Sequence, residues 1–258
     1  MKIAILAPIL LASFAMAFSQ AVQANDNGKF SLETGMHYNT GKYGGTQSTD
    51  ILYIPVTGRY RTGLWAFRLT VPYLQVTGPG NVLNGVGAVG AATTASSSRS
   101  GLGDVIAAAT RTVYNDARSG FMVNLAGKIK LGTADSTKGL GTGQNDYAFQ
   151  SEVFHITKPL TSFGILGYKI YGQPATYTLK NGFYGLVGGS YKFNEEENGG
   201  AILSYSQKTT VNGSAHLTAI LFADHKIGNT WKVQGYVLKG FTKSVPSAGI
   251  GLTIGYNF

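Results

Sequence analysis

No cysteine occurs in this chain, which excludes the disulfide-stapled cores on which many small secreted domains depend. Charge is scarce as well. Only 13% of residues are Asp, Glu, Lys or Arg, against roughly a quarter in an ordinary soluble domain. Beyond residue 24 there is no apolar run of about 18 residues, so no single helix is long enough to span a bilayer. Helical periodicity is almost missing too, which argues against a bundle. What the 258 residues do hold is 36 glycines, 15 tyrosines and 13 phenylalanines. That aromatic content argues against disorder.

The first 24 residues form a segment of their own. Lys2 gives a short positive start and Ile3 to Phe18 is nearly all apolar. Val22-Gln23-Ala24 then has the small-x-small pattern of a cleavage site, followed at once by polar Asn25-Asp26-Asn27. This reads as a secretory signal peptide cleaved after Ala24, leaving residues 25–258 as one domain; a retained N-terminal anchor is the alternative. Loss of Lys2 leaves 20 basic against 12 acidic residues, a net charge of +8.

Period-two alternation runs through the rest. In Gly120 to Gly132, Phe121, Val123, Leu125, Ile129 and Leu131 share one face, while Asn124, Lys128 and Lys130 lie on the other. Read in this way the chain predicts twelve strands, near 29–39, 50–60, 64–76, 102–114, 120–132, 146–158, 162–173, 182–193, 200–210, 215–226, 231–242 and 248–258. Brief connections, such as 61–63 and 159–161, alternate with a set that includes long ones, such as 77–101 and 133–145; the later members of that second set, 211–214 and 243–247, read as short. Up-and-down strands place successive connections at opposite ends, so a short-turn end and a long-loop end follow from chain order.

In hydrocarbon every backbone polar group needs an internal partner, so strands cross a bilayer only as a closed barrel. The fold predicted is therefore all-β: an antiparallel up-and-down transmembrane β-barrel of about twelve strands, its last strand, Gly249 to Phe258, paired with its first. Tyr256 and Phe258 stand where an aromatic girdle belongs and look like the C-terminal signal read by the barrel assembly machinery. A soluble β-sandwich is the competing fold. It would have to expose the Phe121 face or bury Lys128 and Lys130.

The polar faces carry Glu33, Arg59, Arg68, Lys128, Lys130, Glu152, Lys192, Lys208 and Lys232. Charge on a lipid face is costly, so these are assigned to the lumen. Two readings stay open: a net-positive lumen that favours anions, or mutual neutralisation involving Asp104, Glu33 and Glu152. The basic residues are spread over many strands, which excludes a nucleic-acid surface. Gly85 to Gly90 matches GxGxxG but lies inside the longest loop. The nucleotide fingerprint needs a preceding strand and a following helix, so this is a flexible loop or an apolar one folding inward as a plug. His37, His155, His216 and His225 lack metal-ligand spacing, and none is followed by the x-Ser of membrane-facing lipases, so neither a metal, a cofactor nor a catalytic residue is assigned. Glu195, Glu196 and Glu197 read as a solvated turn.

Gly101-Leu102-Gly103-Asp104-Val105 after Val71-Pro72-Tyr73, Lys128 to Phe149, and the final Gly255-Tyr256-Asn257-Phe258 together resemble the outer-membrane family named for the meta-pathway of phenol degradation. The resemblance implies a barrel of the Gram-negative outer membrane that passes small, often aromatic or hydrophobic compounds. Lumen candidates for solute contact are then Arg59, Arg68, Asp104, Lys128, Lys130 and Glu152. The alternatives are a structural or adhesive barrel with a plugged lumen, or a lipid-modifying enzyme.

Overall fold

The computed structural model describes residues 28–45, 47–83, 87–89, 95–210 and 213–258; the signal-peptide segment lies outside them. The elements are β1 (Lys29–Gly41), β2 (Thr49–Thr62), β3 (Trp65–Pro79), β4 (Val82–Leu83), β5 (Gly87–Ala88), β6 (Ser96–Leu102), β7 (Ile106–Asp116), β8 (Phe121–Lys130), β9 (Asp146–Thr157), β10 (Leu160–Ile170), β11 (Gly182–Lys192), β12 (Glu197–Ser206), β13 (His216–Ile227), β14 (Trp231–Gly240) and β15 (Ala248–Asn257). Each strand pairs antiparallel with its chain neighbour around the sheet, and β15 closes on β1 from Ser31↔Asn257 to Thr40↔Ala248. With β6 and β7 sharing one place beside β3, the wall has twelve strand positions. The ring that runs through β7 leaves no edge, β6 alone in the wall being paired on one side only, and that closure stabilises the fold without cysteine.

The outer face is greasy throughout. Phe149, Leu166, Val187 and Leu221 are each 61–63% exposed, which water would penalise and hydrocarbon does not. Aromatic residues gather at both rims. At the short-turn end the Phe30, Trp231, Tyr256 and Phe258 rings form a chain of contacts: Phe30–Phe258 at 5.4 Å, Tyr256–Phe258 and Trp231–Tyr256 at 4.8 Å. Nearby, the Arg111 guanidinium lies 5.5 Å from the Trp65 ring centroid, a cation–π contact at the depth where both residues are tolerated. Tyr38, Tyr147, Tyr168 and Phe183 mark the opposite rim. Strands of about eleven residues, tilted about 40°, span the ~25 Å apolar band of such barrels.

Two strands differ from the sequence expectation. The fourth is split: Ser96 to Leu102 pairs with the top of β3, and Gly103 to Val105 interrupt the strand before β7 begins. The serine run looks like loop by propensity, yet Ser98 bonds Gln75 at 3.5 Å and Thr77 at 3.2 Å across the ladder. The ninth predicted strand is displaced toward the N-terminus, to Glu197–Ser206. Its Glu197-Asn198-Gly199 start reads as turn, but Asn198 and Gly199 pair with Asp224 and Ala223 in the wall. The connection expected to be short at 211–214 is therefore the longer 207–215, and Lys208 is an exposed loop residue rather than a lumen residue. The turns at the other end hold two to four residues, at 63–64, 117–120, 158–159, 193–196 and 228–230.

Candidate functional site

The long-loop end is capped. Val82, Leu83 and Ala88, from the β4–β5 hairpin in the longest loop, are apolar and cannot rest in water. They fold onto the inner wall, where Val82 joins Ile51, Tyr53, Leu74 and Val76 of β2 and β3, with Tyr43, Ala134 and Leu140 from two other loops. Leu83 packs against Leu179, Tyr171 and Tyr177 across the mouth. Arg99 of β6 holds the hairpin's base by donating to the carbonyls of Gly78 and Pro79 at 3.3 Å and to that of Val82. Gln173 clamps the loop opposite, donating to the Leu179 carbonyl and accepting from the Leu179 amide, both at 2.9 Å. Of the glycine-rich GxGxxG stretch, Gly87 to Val89 are described; they lie in this cap and follow no wall strand.

Beneath the cap lies an ion-pair hub. The Lys130 ammonium, at the top of β8, donates to Asp104 at 2.6 Å, to the Gln144 carbonyl at 3.0 Å and to Thr142 at 3.2 Å, and lies 3.6 Å from Asp146. Asp104 also accepts from the Ala134 amide at 3.0 Å, so this carboxylate ties the 131–145 loop to the strand junction. The flanking glycines are required for close approach: a Cβ on Gly103 would lie 2.8 Å from Leu74, and one on Gly141 would lie 2.9 Å from Asp104. Asp146 pairs with Lys169 at 3.1 Å, and the Lys169 ammonium lies 4.1 Å from the Tyr171 ring centroid.

Under this hub is a chamber of about 100 Å³ with mostly apolar walls. Lys128, Lys169, Tyr171, Tyr184, Ala148 and Ile165 line it. Tyr184 donates to Gln150 at 2.8 Å, and Glu152 accepts from both Gln150 and Asn124. Deeper, Arg59 and Arg68 stand side by side on β2 and β3. Arg59 pairs with Glu33 at 2.8 Å; Arg68 lies within electrostatic reach of Arg59, Glu33 and Glu152. Near the short-turn rim Lys232 pairs with Asp224 at 3.0 Å.

The other arc of the lumen is packed differently. Met122, Phe154, Phe163, Ile202, Ile220, Phe222, Tyr236 and Leu238 form one buried cluster across β8 to β14. Several of its rings cover a directly opposed glycine: Phe163 on Gly188, Phe222 on Gly200 and Tyr236 on Gly251, with Tyr184 on Gly167 in the same manner. A Cβ at Gly188 or Gly167 would fall 2.4 Å from the ring.

The structure places the candidates Arg59, Arg68, Lys128, Lys130 and Glu152 on the inner face, and Asp104 at the strand junction under the cap. It joins Lys130 to Asp104 and separates that hub from the Arg59–Arg68 pair. Lys169, Asp146 and Tyr184 were missed; lumen-phase polarity in β9 and β10 was the available signal for Asp146 and Lys169, and Tyr184 of β11 carried none. The glycine–ring pairs needed cross-strand register. Of the histidines, His155 is on the outer face, stacked on Phe121 at 4.3 Å. His37 bonds the Tyr236 hydroxyl at 3.1 Å, and His216 bonds Ser206 at 2.9 Å. The Ser206–His216 pair shows no carboxylate on the imidazole: His216 Nε2 is buried without a hydrogen-bond partner. Among the described residues no cluster of His, Cys, Asp or Glu has the makings of a metal site.

A closed antiparallel ring, greasy outside, girdled by aromatics at both rims and polar within, is the architecture of an outer-membrane β-barrel. The family model described as "Putative MetA-pathway of phenol degradation" matches residues 19–258, and the chain belongs to that family. Among solved structures the chain resembles the KdgM porin, with a TM-score of 0.53 and 14% identity over 88% of this chain and 99% of that one. It also resembles the translocator domain of the autotransporter NalP from Neisseria meningitidis, with a TM-score of 0.50 and 14% identity over 97% and 95% of the two chains. A comparison with curated protein sequences finds no match.

Proposed function

We propose that this protein is a gated channel for passive passage of small solutes, aromatic compounds among them, across the outer membrane of a Gram-negative bacterium. Residues 1–24 would direct export and be removed after Ala24. The short turns then face the periplasm and the capped end faces outward, as is usual for such barrels. Tyr256 and Phe258 would serve the barrel assembly machinery, and the bilayer is the protein's solvent. The observation that carries the reading is the chamber on the lumen side, walled by apolar and aromatic groups and roofed by loops rather than by wall strands. Loops can move without breaking the ring, so the roof is a gate that leaves the fold intact. The KdgM fold likeness supports a solute-passing barrel. The chemistry is binding and passage, not catalysis.

The packed cluster around Phe163 and Phe222 favours a second reading, a structural barrel with a permanently filled lumen. Swelling of proteoliposomes distinguishes the two. Replacing residues 81–94 with a short Gly-Ser link is expected to raise solute entry well above the intact protein. Liposomes that stay sealed to every small solute with both proteins would leave the structural reading.

A further inference from the structure

The chamber's charge and shape carry the reading one step further. Four lysines line it, Lys128, Lys130, Lys169 and Lys180, together with one carboxylate, Asp146. Two more carboxylates stand just behind: Asp104 on the Lys130 ammonium, and Glu152 within electrostatic reach of Lys128. The Arg68 guanidinium is within the same reach of Lys128, so five cationic groups meet three carboxylates, a surplus of two positive charges. Lys130 is committed to the roof by its four acceptors and Lys180 is exposed at the mouth, which leaves one positive charge in surplus on the side of Lys128, Lys169 and Arg68. Charge held against apolar walls favours a counter-charge that comes in with its own apolar body.

The walls specify that body. Ala148 and Ile165 supply a small aliphatic surface. The Tyr184 ring covers Gly167, and the Tyr171 ring faces Lys169. A single water needs about 10–15 Å³ of such space, so a chamber of about 100 Å³ takes one ring-sized molecule rather than an oligomer. We propose that this chamber is a binding site for a small aromatic monoanion, a carboxylate or phenolate on one ring, with the anion toward Lys169 and Lys128 and the ring between Tyr184 and Ile165. The assignment rests on the channel reading only for how the solute arrives.

Calorimetry on the full-length protein in detergent tests it with benzoate, benzyl alcohol and acetate as probes. Benzoate should bind about tenfold or more tightly than its neutral isostere and than the ringless anion. Lys169→Met should weaken benzoate about tenfold and change benzyl alcohol less than about twofold. Asp146 also lies 3.6 Å from Lys130, so this variant does not leave it without a nearby cation. Should it fail the heat-dependent gel shift of a folded barrel, Lys128→Met carries the same expectation. Equal binding of benzoate and benzyl alcohol, or an unchanged benzoate affinity in the folded lysine variant, overturns the site. Benzoate selectivity in a protein whose 81–94 replacement still seals liposomes would sink the channel alone. Swelling in that replacement without any benzoate preference would sink the anion site alone.

Discussion

The two arcs of the lumen solve one problem by different chemistry. Below the cap, along β1–β3, β8 and β9, the interior holds charged groups with polar partners: Arg59 with Glu33, Lys130 with Asp104, Glu152 with its amide donors. From Met122 and Phe154 round to β14 most of the interior is filled by apolar side chains, with rings laid on glycines, Phe163 on Gly188 and Phe222 on Gly200, and Lys169 and Lys232 at its ends paired with Asp146 and Asp224. Charge pairing is directional, and a partner left alone inside is costly. Ring packing tolerates exchange but not crowding. The polar arc therefore suits the task of holding loops in one position, and the apolar arc suits dense filling of the interior.

That contrast can be broken, and the largest effect belongs to the hub. Lys130→Met strands Asp104 and releases the 131–145 loop. It should cost about 3–5 kcal/mol, seen as a lower temperature for loss of the heat-dependent gel shift, and should raise liposome swelling as the roof loosens. An unchanged midpoint would mean the hub is solvated and holds nothing. Next comes the apolar arc. Gly188→Ala puts a methyl 2.4 Å from the Phe163 ring and 2.7 Å from the Ala201 carbonyl, and should cost about 1–3 kcal/mol by overpacking. Adding Phe163→Leu should recover part of that loss, and strictly additive effects would show that the ring does not rest on the glycine. Smaller again is Arg111→Ala on the outer rim, about 0.5–1 kcal/mol from the lost contact with Trp65. Gly235→Ala sets the floor. Its Cβ meets only the Gly251 carbonyl at 4.0 Å, so the denaturation midpoint should move by less than about 0.5 kcal/mol.

How much of this was readable in advance depends on where each signal lies. Period-two alternation is local, so Phe121 to Lys130 was legible as a strand with two faces, and twelve such segments implied the ring. Lipid forbids charge, which placed Arg59, Arg68, Lys128 and Glu152 inward without coordinates. Glu197 to Gly199 and Ser96 to Ser100 failed the same test, because polar residues and glycines signal turns whichever ladder they join. The hub was harder. Asp104 and Lys130 are 26 residues apart, and no spacing rule links a strand-junction carboxylate to the top of β8. The inward fold of the longest loop was one of two open readings, but the share of the 131–145 loop in the roof was not foreseen, since Ala134 and Leu140 are isolated apolar positions among polar neighbours. Phe163 on Gly188 depends on register between β10 and β11, which one strand's pattern does not contain.

The rings that rest on glycine separate two design problems that most membrane proteins solve together. Exchanging the residue opposite a glycine alters the bore while every lipid-facing side chain stays as it was. A lineage of such barrels can thus drift from one cargo size to another by inward substitutions alone, with no renegotiation of its fit to the bilayer.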